Sequence, residues 1–105
     1  MQDWRLGFVG AGVMAEVLIA GLLEEGVLPA ARILASNRRQ ERSAELTERY
    51  GIRCVQDNRT VAAQSDLLVL SVKPQTLPKI LPQLAGQLRP ETMVLSIIAG
   101  PPRPC

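Results

Sequence analysis

Residues 5–15 read Arg5-Leu6-Gly7-Phe8-Val9-Gly10-Ala11-Gly12-Val13-Met14-Ala15. A short aliphatic run carries the chain to two glycines, and an apolar segment of helical period follows. Gly10, Gly12 and Ala15 fit the G-x-G-x-x-A form of the turn between the first strand and first helix of a dinucleotide-binding unit. Each position has a mechanical reason. Gly10 permits the sharp exit from the strand. Gly12 has no side chain, so a diphosphate can approach the backbone, and Ala15 lets the helix lie close on the strand. A helix opening near Val13 would aim free N–H groups and the positive end of its dipole at that diphosphate. The bland alternative is the same tight turn with no ligand. Its setting between a strand, an amphipathic helix and a second strand weighs against that alternative.

Outward from this turn, residues 14–25 keep Ala15, Leu18 and Leu22 at helical spacing, with Gly26 as a stop. Residues 32–36 read as a second strand. Asn37 precedes a polar helix over 38–50 that Gly51 ends, and Asn37 with Gln40 has the spacing of a capping box. Residues 52–55 make a third strand, Asp57-Asn58 a turn, and 59–64 a short helix. Residues 67–72 are apolar enough for a strand buried on both faces, ended by Lys73-Pro74. A helix over 77–88 should kink or split at Pro82. A fifth strand covers 93–98. Strand and helix alternating in this way predict a parallel sheet with right-handed crossovers and helices on both faces. The expected class is α/β, a doubly wound sheet of Rossmann type with about five strands, its ligand beyond the carboxyl ends of the strands. Residues 1–100 form that domain, and 101–105 an irregular proline-rich tail.

Composition closes off other chemistries. The chain has 105 residues, enough for one modest core. It contains no histidine, which removes Ser/His/Asp and Cys/His nucleophile systems and His-ligated metals. Twelve basic residues against ten acidic give a net charge of +2, no footprint for nucleic acid or a membrane surface. Cys54 lies in an apolar run and Cys105 is the last residue, so a disulfide framework is not expected and the cytoplasm is the expected location. No secretory leader and no bilayer-spanning run is read.

The end of the second strand bears on which dinucleotide is bound. An acid there holds the ribose 2′-hydroxyl of NAD. This chain has Ser36-Asn37-Arg38-Arg39 instead. The arginines would attract a 2′-phosphate, and Ser36 and Asn37 can donate hydrogen bonds to it, so NADP(H) is expected over NAD(H). The competing reading has Asn37 capping its helix and the arginines paired with Glu41 or Glu45. Asn58 reads from spacing alone as the cap of the short helix, with contact to the cofactor ribose as the alternative. Lys73 could be merely solvated, yet it falls on the ligand side of the sheet. Ser96 and Ala99-Gly100 end the fifth strand on the same edge, where small residues suit either a nicotinamide ring or close packing.

Longer stretches resemble one family. Residues 7–16 with Gly21-Leu22-Leu23 resemble the opening of pyrroline-5-carboxylate reductase. Ile33 to Arg38, Tyr50-Gly51-Ile52 and Asp57-Asn58 continue the likeness. Ser71-Val72-Lys73-Pro74-Gln75 is close to the family's Ala-Val-Lys-Pro-Gln, and Ser96-Ile97-Ile98-Ala99-Gly100 to its Ser-Ile-Ala-Ala-Gly. The resemblance implies an NADPH-dependent reduction of 1-pyrroline-5-carboxylate to L-proline, the last step of proline biosynthesis. It places cofactor contacts on Val9, Gly10, Ala11, Gly12, Val13 and Met14, on Ser36, Asn37 and Arg38, on Asn58, on Ser71, Val72, Lys73 and Pro74, and on Ala99 and Gly100. The family continues into a helical C-terminal domain that supplies the substrate pocket and the homo-oligomer interface. Pro101-Pro102-Arg103-Pro104-Cys105 departs from that pattern, so no catalytic residue carries over, and this chain is expected to be the cofactor half, with little turnover alone. Other NAD(P)-dependent dehydrogenases of β-hydroxyacid or coenzyme F420 type share the first turn, as would a non-catalytic nucleotide-binding module. An apolar fifth strand at a sheet edge also predicts self-association.

Overall fold

The computed structural model describes residues 4–10, 12–37, 39–73 and 75–97. Five parallel strands form one sheet: β1 (Leu6–Val9), β2 (Ile33–Ser36), β3 (Arg53–Val55), β4 (Leu67–Leu70) and β5 (Met93–Ser96), in the order β3-β2-β1-β4-β5. Between them run the helices α1 (Val13–Glu24), α2 (Gln40–Tyr50), α3 (Asn58–Gln64) and α4 (Leu77–Ala85), and a single 3₁₀ turn at Ala30–Arg32 leads into β2.

The residue alternation of the strands sorts the core into two layers. Leu6, Phe8, Ile33, Ala35 and Val69 turn to one face and meet Ala15 and Ile19 of α1 and Leu46 of α2. Val9, Leu34, Leu68 and Leu70 turn to the other and meet Val61 and Ala62 of α3 and Ile80 and Leu84 of α4. Consecutive positions of a strand therefore serve opposite layers, which is why β1, β2 and β4 are apolar on both faces up to the buried Ser36 that ends β2. Gly7 is the exception. A methyl group there would collide with the Ser65 hydroxyl and come within 2.7 Å of Val61 Cγ1, so glycine is what lets α3 lie on β1.

Several boundaries differ from the sequence reading; α4 ends at Ala85 rather than 88 and β5 at Ser96 rather than 98, and three others have a local reason. β4 stops at Leu70 rather than at residue 72. The ladders with β1 and β5 end at Val9 and Ser96, beyond which the Ser71 N–H still reaches the Val9 carbonyl at 3.0 Å and the Ile97 N–H the Leu70 carbonyl at 2.8 Å. Residue 37 does not cap α2. The helix starts at Gln40 behind Arg39, and Asn37 Oδ1 accepts instead from Arg39 N at 2.9 Å, a turn closed on its own backbone. Nor does Asn58 cap α3. Asp57 takes that place, accepting from Arg59 N, and Asn58 is the first residue of the helix. Pro82 does not split α4, which runs through it; the residue is exposed, so the Pro78 carbonyl it leaves without an intrahelical donor lies on the side of the helix facing water.

Candidate cofactor site

The strand order reverses direction between β1 and β4, and the crevice above their carboxyl ends is where an open α/β sheet takes its ligand. One wall is the exit from β1. Gly10 has φ +89°, and a methyl group there would come within 2.6 Å of Val72 Cγ1 and 2.8 Å of the Ser71 carbonyl oxygen. The position therefore needs glycine both for its backbone and for the approach of β4. Its N–H donates to the Ser36 carbonyl at 3.2 Å, and its carbonyl accepts from the Ser71 hydroxyl. The turn is thus tied to both neighbouring strands.

Gly12 stands in contrast. It is exposed, its φ is −85°, and nothing lies within 4 Å of where a Cβ would be. It opens α1, and no side chain caps that end. Bare backbone, empty space above it and the first-turn amides of a twelve-residue helix fit a diphosphate. Behind it, Ala15 is fully buried.

At the end of β2, Ser36 is only 1 % exposed. Its hydroxyl donates to Asn58 Oδ1 at 2.6 Å, and Asn58 Nδ2 donates onward to Gln83 Oε1 at 3.4 Å. Ser36 therefore orients Asn58 from beneath. Asn37 is half-buried, its N–H bonded to the Val55 carbonyl at 3.0 Å. Gly12, Asn37, Arg39, Glu41, Arg42 and Glu45 line one cleft of about 440 Å³ that runs from the first turn to the start of α2. On the β4 side, Ser71 and Val72 are half-buried and Lys73 is exposed. The expected contacts at Ala11, Arg38, Pro74, Ala99 and Gly100 lie outside the described residues, as does the Val13 side chain.

A charged network joining α1 to α2 was not anticipated from the sequence. Glu16 accepts from Arg42 Nη2 at 2.6 Å, Arg49 Nη1 at 2.7 Å and the Tyr50 hydroxyl at 2.7 Å. Arg42 also pairs with Glu45 at 2.7 Å and reaches the Gly12 carbonyl at 3.4 Å. The Tyr50 hydroxyl, then the two guanidinium groups, hold the Glu16 carboxyl at a pKa of about 2 against burial, which opposes them. The sequence signal was faint: one acid in the first turn of α1, with matching cations spread along α2. Cys54 is not a nucleophile in waiting, because burial pushes its thiol up. Among the described residues no group of three or more His, Cys, Asp or Glu side chains could hold a metal ion, and no helix is long and apolar enough to cross a membrane.

Fold and site together define the class: a domain of the dinucleotide-binding type. The chain belongs to the family described as NADP oxidoreductase, coenzyme F420-dependent, whose model matches residues 5–100. Over 102 residues it is 44 % identical to a pyrroline-5-carboxylate reductase of Pseudomonas aeruginosa, a match that takes in 97 % of this chain and 37 % of the relative. A solved pyrroline-5-carboxylate reductase from Coxiella burnetii superimposes with a TM-score of 0.86 at 30 % identity, over 93 % of this chain and 36 % of that one. The Plasmodium falciparum pyrroline carboxylate reductase solved with NADP bound gives a TM-score of 0.78 over 93 % of this chain and 34 % of that one, and at 20 % identity shows likeness of fold alone. The chain thus spans just over a third of the length of the relatives it matches.

Proposed function

We propose that this chain is the NADP(H)-binding part of a cytoplasmic enzyme that reduces 1-pyrroline-5-carboxylate to L-proline. The observation that carries the reading is Gly12: open backbone at an uncapped helix start, inside the crevice where the strand order reverses. The relatives' names supply the substrate. Residues 9–14 would hold the diphosphate and Asn37 and Arg38 the 2′-phosphate side of the adenosine; Ser36, expected there too, is buried with its hydroxyl donated to Asn58 and would act through that amide, which would face the ribose. Ser71 to Pro74 and Ala99-Gly100 would flank the nicotinamide end.

When bound, NADPH supplies the hydride that reduces the C=N carbon of the pyrroline. This chain's residues bind and orient. The Gly12 backbone and the α1 amides stabilise the diphosphate charge. Ser36 keeps the Asn58 amide facing one way, and Ser71 locks Gly10 to β4 so that the two walls of the crevice keep their spacing. The matched length is 37 % of the Pseudomonas relative, and the substrate pocket and homo-oligomer contacts would belong to the part beyond it.

Titration calorimetry of the chain with NADPH and NADH tests the cofactor. NADPH should bind at least about tenfold more tightly, and Arg38→Asp should erase the difference; equal affinities would refute the assignment. The substrate is tested by joining residues 1–100 to the C-terminal part of the Pseudomonas relative and following NADPH oxidation. Turnover is expected with 1-pyrroline-5-carboxylate and not with β-hydroxyacids.

A further inference from the structure

The cleft below the first turn is lined by two cations, Arg39 and Arg42, and two carboxylates, Glu41 and Glu45. A phosphate monoester entering it meets balanced charge only while both guanidinium groups are present. We propose that Arg42 is a specificity-determining residue for the cofactor, donating beside Arg39 to the phosphate on the adenosine ribose, with Glu16 as the residue that positions it. The inference rests on the NADP(H) reading above and extends it to a side chain outside the loop that ends β2.

Position comes first. Arg42 reaches the Gly12 carbonyl at 3.4 Å, so its guanidinium stands beside the turn assigned to the diphosphate. The same cleft includes Asn37 and Arg39, at the other end of the same nucleotide half. Preorganisation comes second. Glu16 is fixed by three donors and stays ionised, and it grips Arg42 Nη2 at 2.6 Å from the first turn of α1. The Arg42 side chain is 22 % exposed, so its rotamer freedom is lost on folding and not on binding. The third element is exchange. Glu45, at 47 % exposed, is the looser of the two carboxylates, and a phosphate dianion matches the guanidinium fork at least as well as that carboxylate does. Glu16 then remains the anchor while the phosphate shares or replaces the Glu45 contact.

A purely structural clamp between α1 and α2 would also use these bonds, so the test must separate the two roles. The double variant Arg42→Met/Glu45→Gln removes the donor and one carboxylate together and leaves net charge unchanged. The probes are 2′,5′-ADP and 5′-AMP, titrated by calorimetry against the full chain at low salt, with circular dichroism as the check on folding. The wild type should prefer 2′,5′-ADP. The double variant should lose about tenfold in affinity for 2′,5′-ADP while 5′-AMP stays within about twofold. Arg42→Lys keeps the charge but not the planar fork and should show a loss of about threefold in the same ratio, which also decides the matter should the double variant not fold. A wild-type preference that survives in these variants, or a loss shared equally by both ligands, overturns the inference alone. A wild type that does not distinguish the two ligands overturns the NADP(H) reading and this inference with it.

Discussion

Gly7, Gly10 and Gly12 lie within one short stretch, yet a methyl group would have a different fate at each. At Gly7 it would strike the Ser65 hydroxyl and Val61 in the packed layer under α3. Gly7→Ala should cost about 3 kcal/mol, read as a lower urea midpoint with an unchanged m-value. At Gly12 a methyl group meets open space, so Gly12→Ala should cost less than about 1 kcal/mol. A longer side chain there would fill the open space proposed for the diphosphate: Gly12→Leu should weaken NADPH binding more than about tenfold while melting near the wild-type temperature. Uptake unaffected by leucine would remove the basis for placing a nucleotide here. Gly7 and Gly10 are thus demanded by the fold, whereas the fold leaves Gly12 open for the proposed ligand.

Among the elements, the seam between α1 and α2 has a pH signature. The Glu16 carboxyl sits at about 2 in the folded chain, below its ordinary value of 4.5, because Tyr50, Arg42 and Arg49 all donate to it. A depressed carboxyl contributes stability that is complete above about pH 4.5 and is lost as pH falls toward 2. Glu16→Gln should therefore flatten the acid limb of the melting-temperature profile in that window. At neutral pH it should cost about 1 kcal/mol, a value held down by water around Arg49 and Glu45. An acid limb unchanged by the substitution would show that these bonds do not persist in solution. The elements themselves were legible in the sequence because aliphatic runs and glycine stops mark them directly. Their ends were not. Asn37 and Asn58 have the residue type of caps, but each found a better partner: Asn37 closes on Arg39 N, and Asn58 receives the Ser36 hydroxyl from a strand twenty-two residues earlier. The Glu16 network leaves no local sequence signal for the same reason, since its partners meet only after β2 has brought α2 beside α1.

At the scale of the molecule, β5 stands apart. β1, β2 and β4 are covered on both faces, whereas Met93, Val94 and Leu95 are 60, 48 and 51 % exposed, and among the described residues no strand pairs with the outer edge of β5. An apolar strand without charge or proline is a template for another strand. The isolated chain should therefore associate as its concentration rises, and Val94→Lys should return it to a monomer in sedimentation velocity. A wild-type chain that stays monomeric at high concentration would show that this edge is protected.

β1 lies at the middle of the sheet, yet of the five described strands it is the first to be made. Leu6 pairs with Ile33 on one side and with Leu67 on the other. While the ribosome is still adding the residues between those partners, the nascent chain can zip up only one flank of β1. The binding crevice needs Gly10 at the end of β1 and Ser71 from 61 residues later, so nucleotide capture becomes possible only once β4 has cleared the exit tunnel. In arrested nascent chains of increasing length, the onset of that capture would time the completion of the domain.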